Sequence, residues 1–102
     1  MSDKTVTTPR TSTVTKTERP RLHKVILVND DYTPREFVVR VLQAEFQLTE
    51  SQAHRVMLTA HRRGVCVVAV FTREIAEAKA TSATDMARKQ GYPLLFTTEP
   101  EE

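Results

Sequence analysis

Apolar residues fall in two rhythms along this chain. In the first they run without interruption: "KVILV" at 24–28, "VCVVAVF" at 65–71 and "LLFTT" at 94–98. Such short runs, rich in β-branched and aromatic residues and bounded by Gly64 or Pro93, predict strands. The first has no polar alternation, which predicts a strand covered on both faces. In the second rhythm apolar positions recur every three or four residues. Phe37, Val38, Val41, Leu42 and Phe46 form one stripe; Ala53, Val56, Met57 and Ala60 form another. Ile75, Ala76, Lys79, Ala83, Met86 and Ala87 give a third, facing inward or running along a flank. These predict three amphipathic helices. Thr33-Pro34-Arg35-Glu36 reads as a capping box with proline at the first helical position, and Thr49 with Gln52 reads as a second box. Thr72 starts the third helix, while Gly64 and Gly91 supply left-handed stops. The acidic end, 99–102, is expected to fray. The order β-α-α-β-α-β predicts an α+β, two-layer fold: a three-stranded antiparallel sheet with three helices laid on it.

Composition adds an arm to this domain. Residues 1–20 hold seven threonines and two prolines, with only Val6 and Val14 as aliphatics after Met1. That stretch cannot bury enough surface to offset its ordering entropy, so a disordered extension over 1–20 and a folded domain over 21–102 are expected. Apolar content is 39% and charged content 27% of 102 residues, enough for one small core and for a shallow ligand site. No apolar run is long enough to span a membrane, and no secretory h-region follows Met1. The arm also lacks the amphipathic spacing of a transit peptide. The single cysteine, Cys66, lies among valines and is read as a small hydrophobe in a reducing compartment. The net charge of +2 resides in the arm, and the remaining residues carry 11 bases and 11 acids. A basic footprint for nucleic acid is therefore missing from the folded part, the local group Arg55, His61, Arg62 and Arg63 aside.

The candidate chemistry is where the first strand stops. Asn29, Asp30 and Asp31 stand side by side just before the first helix. Such residues commonly make turns by bonding their own backbone, and acids suit a helix N-terminus. Thr33, however, is read as capping that helix, which leaves three acceptors surplus. A Mg²⁺-dependent acidic pocket of the receiver type is disfavoured, because the second strand ends in Phe71-Thr72 rather than a phospho-accepting aspartate. Adjacent carboxylates alone also make a weak site for a hard cation. No hydrolase elbow, zinc-protease motif or phosphate-cradling glycine loop is present, and no cofactor or metal is expected. The other reading is a site for an ammonium group, which offers only donors. His61, at the end of the second helix, could add a ring nitrogen. Met57 and Ala60, facing Val38 and Leu42, could wall an apolar hole or simply pack the core.

"VILVNDDYTPREFVVRVL", "MLTAHRRG", "VFTREIAEAK" and "YPLLFTTE", in this order, resemble the ClpS family, the adaptors of the bacterial Clp protease. The resemblance covers about residues 22–99. It implies a non-enzymatic, cytoplasmic, monomeric adaptor without cofactor or membrane attachment. Such an adaptor captures proteins with an N-terminal Phe, Tyr, Trp or Leu and delivers them to the ClpA unfoldase of ClpAP. By the same resemblance, Asn29, Asp30, Asp31 and His61 would surround the substrate's α-ammonium. Thr33 and Arg35 would line the entrance, with Val38, Leu42, Met57, Ala60 and Leu94 forming the side-chain pocket. Glu74 and Lys79 would contact the ClpA N-terminal domain, and the arm would assist delivery. The fold would be similar to the ribosomal stalk protein's C-terminal domain. A non-adaptor interaction domain of that type is the alternative, though it would not need the acceptor cluster. Two positions depart from the family pattern. Arg35 stands where methionine is usual, and Ala60 where a larger β-branched residue is usual. Arg35 can stack on a ring, so aromatic N-terminal residues are expected to be favoured over Leu.

Overall fold

The computed structural model describes residues 20–101. The expected disordered arm falls, but for Pro20, outside the described residues. Six elements follow: β1 (Leu22–Val28), α1 (Arg35–Phe46), α2 (Glu50–Arg63), β2 (Val65–Thr72), α3 (Arg73–Lys89) and β3 (Leu95–Pro100). The sheet order is β2-β1-β3, antiparallel throughout. This is the expected two-layer α+β arrangement.

The central place of β1 explains its uninterrupted apolar run. Val25 and Leu27 face the helices and join the main core with Val41, Leu42, Phe46, Met57 and Phe96. Ile26 points to the opposite face, where its cross-strand neighbours are Val67 and Thr97. Both neighbouring strands shield it, so all three consecutive residues are buried.

The helix signals hold in part. Thr49 and Gln52 form the expected box: the Gln52 N–H donates to Thr49 Oγ1 at 3.1 Å, and the Thr49 N–H donates to Gln52 Oε1 at 2.9 Å. Gly64 ends α2 at φ 93°, a conformation that a side chain would strain. The box expected at Thr33 and Glu36 does not form. Pro34 is the N-cap, and its carbonyl accepts from the N–H groups of Phe37 and Val38 at 3.0 and 3.1 Å. Thr33 Oγ1 instead donates to Asp30 Oδ2 at 2.9 Å. A carboxylate is the stronger partner, and it draws the hydroxyl away from the helix.

Three further expectations are corrected. α3 turns a stripe of alanines, Ala76, Ala80, Ala83 and Ala87, onto the sheet. That face lies one helical step, about 100°, past Ile75, which is 48% exposed. The acidic end does not fray through Glu101: Glu99 and Pro100 belong to β3, and the Glu101 N–H donates to the Leu22 carbonyl at 2.8 Å. Leu94 is buried just ahead of β3 rather than within it. The segment carrying it is pinned to α1 by an edge-on contact of Tyr92 with Phe37, ring centroids 4.9 Å apart.

Candidate functional site

The turn after β1 is built by Asp30. Its Oδ1 accepts from the N–H groups of Tyr32 and Thr33 at 2.8 and 2.7 Å, and its Oδ2 accepts from the Thr33 hydroxyl. Asp30 thus does the turn work that sequence alone left as one of two readings. A carboxylate has about four lone-pair positions, so three acceptances leave one on Oδ2. The side chains of Asn29 and Asp31 make no hydrogen bond among the described residues.

A main-chain bond brings the second half of the site alongside. The Asn29 N–H donates to the Gly64 carbonyl at 2.9 Å, and Gly64 follows the last turn of α2. The acceptor turn and His61 therefore meet, although 30 residues separate Asp31 from His61 along the chain. Three bases, His61, Arg62 and Arg63, fill that last turn and suit its negative dipole end.

Between these segments lies a cavity of about 180 Å³. Its apolar wall comes from Leu27 of β1, Val38 of α1, Met57 and Ala60 of α2, and Leu94. Its polar rim comes from Asn29, Asp30, Asp31 and Thr33, closed by Arg35 and His61. Small-molecule sites usually enclose about 300–1,000 Å³, so this hole suits a single side chain. Ten of the eleven residues expected to form an amine site and side-chain pocket line this one cavity. Leu42 does not: it is 0% exposed, inside the core, and contributes no wall. Leu27 was missed, because within a strand run nothing distinguishes the residue that faces a cavity from its neighbours.

Arg35 Nη2 lies 3.2 Å from His61 Nε2 across the mouth. Both are exposed residues of the cavity lining. Glu74 is exposed near the start of α3. Lys79 Nζ donates to the Glu45 carbonyl at 2.9 Å and sits 5.7 Å from the centre of the Phe71 ring. It joins α3 to the C-terminal end of α1, helped by Ser82, whose hydroxyl donates to Glu45 Oε1. Cys66 is half-buried; desolvation raises its thiol pKa, partly offset by a hydrogen bond with Thr59 and the nearby Arg63 charge. No group of three or more His, Cys, Asp or Glu among the described residues is placed to hold a metal. No helix among them is long and apolar enough to cross a membrane.

A small helix-covered sheet with an acceptor-rimmed hole defines a binding module, and comparisons assign it. Residues 18–97 match the family model described as ATP-dependent Clp protease adaptor protein ClpS. The chain is 71% identical over 97 residues to the ATP-dependent Clp protease adapter protein ClpS 1 of Bradyrhizobium diazoefficiens, covering 95% of this chain and 96% of that one. It is 56% identical to ClpS 2 of Rhizobium meliloti over the full length of both. The structure of Agrobacterium tumefaciens ClpS2 bound to L-phenylalaninamide superposes with a TM-score of 0.81 at 60% identity, covering 81% of this chain and 100% of that one. The chain belongs to the ClpS family of Clp protease adaptors.

Proposed function

We propose that this protein is a cytoplasmic, non-enzymatic adaptor that captures proteins beginning with Phe, Tyr, Trp or Leu and delivers them to the ClpA unfoldase of ClpAP. The observation that carries this reading is the convergence of an acceptor rim and an apolar hole in one cavity. Only a chain terminus places a free ammonium beside an unencumbered side chain. Asn29, Asp30, Asp31 and His61 supply acceptors for the ammonium, and Leu27, Val38, Met57, Ala60 and Leu94 receive the side chain. L-Phenylalaninamide, the ligand of the A. tumefaciens relative, has this chemistry: an α-amine, a benzyl group and an amide in place of the next peptide bond.

The energetics suit reversible capture. Burying one large apolar side chain contributes about 1.5–3 kcal/mol. Each hydrogen bond to the ammonium adds about 1.5–3 kcal/mol. After the cost of association, roughly −8 kcal/mol, or micromolar affinity, remains. An internal phenylalanine brings no ammonium and would leave the rim desolvated and unpaired. ClpA would dock on α3 around Glu74 and Lys79, Glu74 touching the partner and Lys79 holding the helix in place. The protein would act as a monomer.

Calorimetry with a Phe-starting peptide and its N-acetylated form tests the site. Binding of the free amine and its loss on acetylation are expected; equal binding of both would refute the ammonium site. Delivery is tested by adding the protein to ClpAP with a Phe-starting reporter, where faster degradation than for a Met-starting reporter is expected.

A further inference from the structure

α1 and α2 run antiparallel: Gln47, Leu48 and Thr49 alone join them, and Arg35 at the start of one meets His61 near the end of the other. Along their seam lies a groove of about 530 Å³. It shares Arg35 and Met57 with the cavity, so the two are continuous. Its floor is apolar and buried, with Val39 6% and Met57 8% exposed. Its ionisable wall residues, Glu36, Arg40, Glu50 and His54, are exposed. The helices set their order. Glu36 stands beside the mouth, and Arg40 lies about one turn further along α1. On the α2 side His54 comes next, and Glu50 closes the far end. Glu36 and Arg40 are spaced to pair on one helix, yet neither has an ion-pair partner among the described residues. From Glu36 to Gln43 the groove runs about 10 Å, the length of about three residues of extended chain.

We propose that this groove holds the second to fourth residues of a captured protein and selects an acidic side chain at the third or fourth. This inference rests on the reading of the cavity as an α-amine site. With the amine at Asn29, Asp30 and Asp31 and the side chain in the hole, the first peptide bond points to the opposite rim. There Arg35 and Met57 lead into the groove. The second residue then passes Glu36, which repels an acid. The next two pass Arg40 and His54. Arg40 offers a fork of donors and His54 a ring N–H, and a carboxylate offers acceptors only. A chain reaching further meets Glu50, which again repels an acid. The two glutamates thus confine the preference to one step of the groove.

These side chains are exposed, so the preference is modest, about three- to tenfold in Kd between the best and worst positions. The test is calorimetry with amidated six-residue peptides that begin with Phe and carry one Glu among alanines, the Glu moved from the second position to the sixth. Wild type should bind most tightly with Glu at the third or fourth position, and less tightly with it at the second or sixth. Arg40→Gln should flatten this series and leave the affinity for the all-Ala version level. Salt at about 1 M, where the screening length is about 3 Å, should flatten it too. A second readout maps the groove. Amide chemical shifts of Val39, Arg40 and His54 should move with the peptides and much less with L-phenylalaninamide, which ends where the groove begins. Affinity that rises steadily toward the sixth position, as repulsion by the acidic rim alone would give, would overturn the subsite. So would a profile that Arg40→Gln leaves unchanged, or shifts confined to the cavity with both ligands. If neither L-phenylalaninamide nor any peptide binds, the α-amine reading itself fails and takes the groove with it. Binding of L-phenylalaninamide with a flat peptide series removes the groove alone.

Discussion

Replacing Asp30 separates two roles that one carboxylate plays. Asp30→Ala removes three hydrogen bonds at once. The Tyr32 N–H is in an exposed stretch and can turn to water, so its loss matters little. The two bonds from Thr33 are part-buried, and losing them should destabilise the protein by about 2–4 kcal/mol. At about 4–8 °C per kcal/mol for a domain of this size, the melting temperature should fall by roughly 8–32 °C. Asp30→Asn behaves differently. Its remaining oxygen still accepts from both N–H groups, and the Thr33 hydroxyl can rotate to accept from the new amide. Neutral hydrogen bonds are about half as strong as charge-assisted ones, so the expected loss is about 1–2 kcal/mol. The ligand, however, faces a rim with one negative charge fewer and without the spare lone pair on Oδ2. One charge-assisted contact is worth about 1.5–3 kcal/mol, so Phe-peptide affinity should weaken by about tenfold to a hundredfold. Calorimetric melting and titration of both variants give the two numbers. A melting temperature for Asp30→Ala within about 2 °C of wild type would refute the turn argument, given the slope above. Unchanged peptide affinity in a folded Asp30→Asn would refute the part played by its charge.

Thr49→Ala should lower stability by about 1 kcal/mol, since it removes a formed capping box, whereas Glu36→Ala should change it by less than about 0.5 kcal/mol. Differential scanning calorimetry of the pair checks whether α1 begins without the box that its sequence suggests. Cys66 gives a pH prediction. Its thiol pKa is raised on folding by burial, so the folded state holds its proton more tightly than the unfolded chain. The associated stability is complete below the unfolded thiol's pKa and is lost as pH rises through the folded one. Denaturant melts on the alkaline side should therefore show a smaller decline for Cys66→Ala than for wild type.

Most of the architecture could be read from apolar spacing, because strand and helix periods differ and Gly64 separates them cleanly. The errors share a physical cause. Local patterns do not reveal which of two available partners a group takes. Thr33 could have capped α1, but Asp30, three residues earlier, offered a charged acceptor. Ile75 is the largest apolar residue at the start of α3, yet alanine lets the helix approach the sheet more closely and so faces inward. Lys79 falls in the inward or flanking stripe of α3, but its spacing does not name its partner, a carbonyl at the end of α1, distant in sequence. The rim of the cavity was legible because three adjacent acceptors exceed what one turn needs, and a helix-end histidine could reach them. The apolar wall was less so: Leu42 and Leu27 have the same character, and only packing decides which meets the hole. Leu94 entered through family resemblance alone, since nothing in its local pattern ties it to the turn after β1.

The bond from the Asn29 N–H to the Gly64 carbonyl has a consequence for biogenesis. It continues the β1–β2 ladder past Val28 and Val65, so the two halves of the rim come together only when the central pairing is complete. The hole needs in addition Leu94, close to the end of the chain. A chain still emerging from the ribosome has the acceptor turn early but lacks both the facing histidine and the last wall. On the function proposed above, a half-made chain would therefore not sequester the termini that the finished one would pass on.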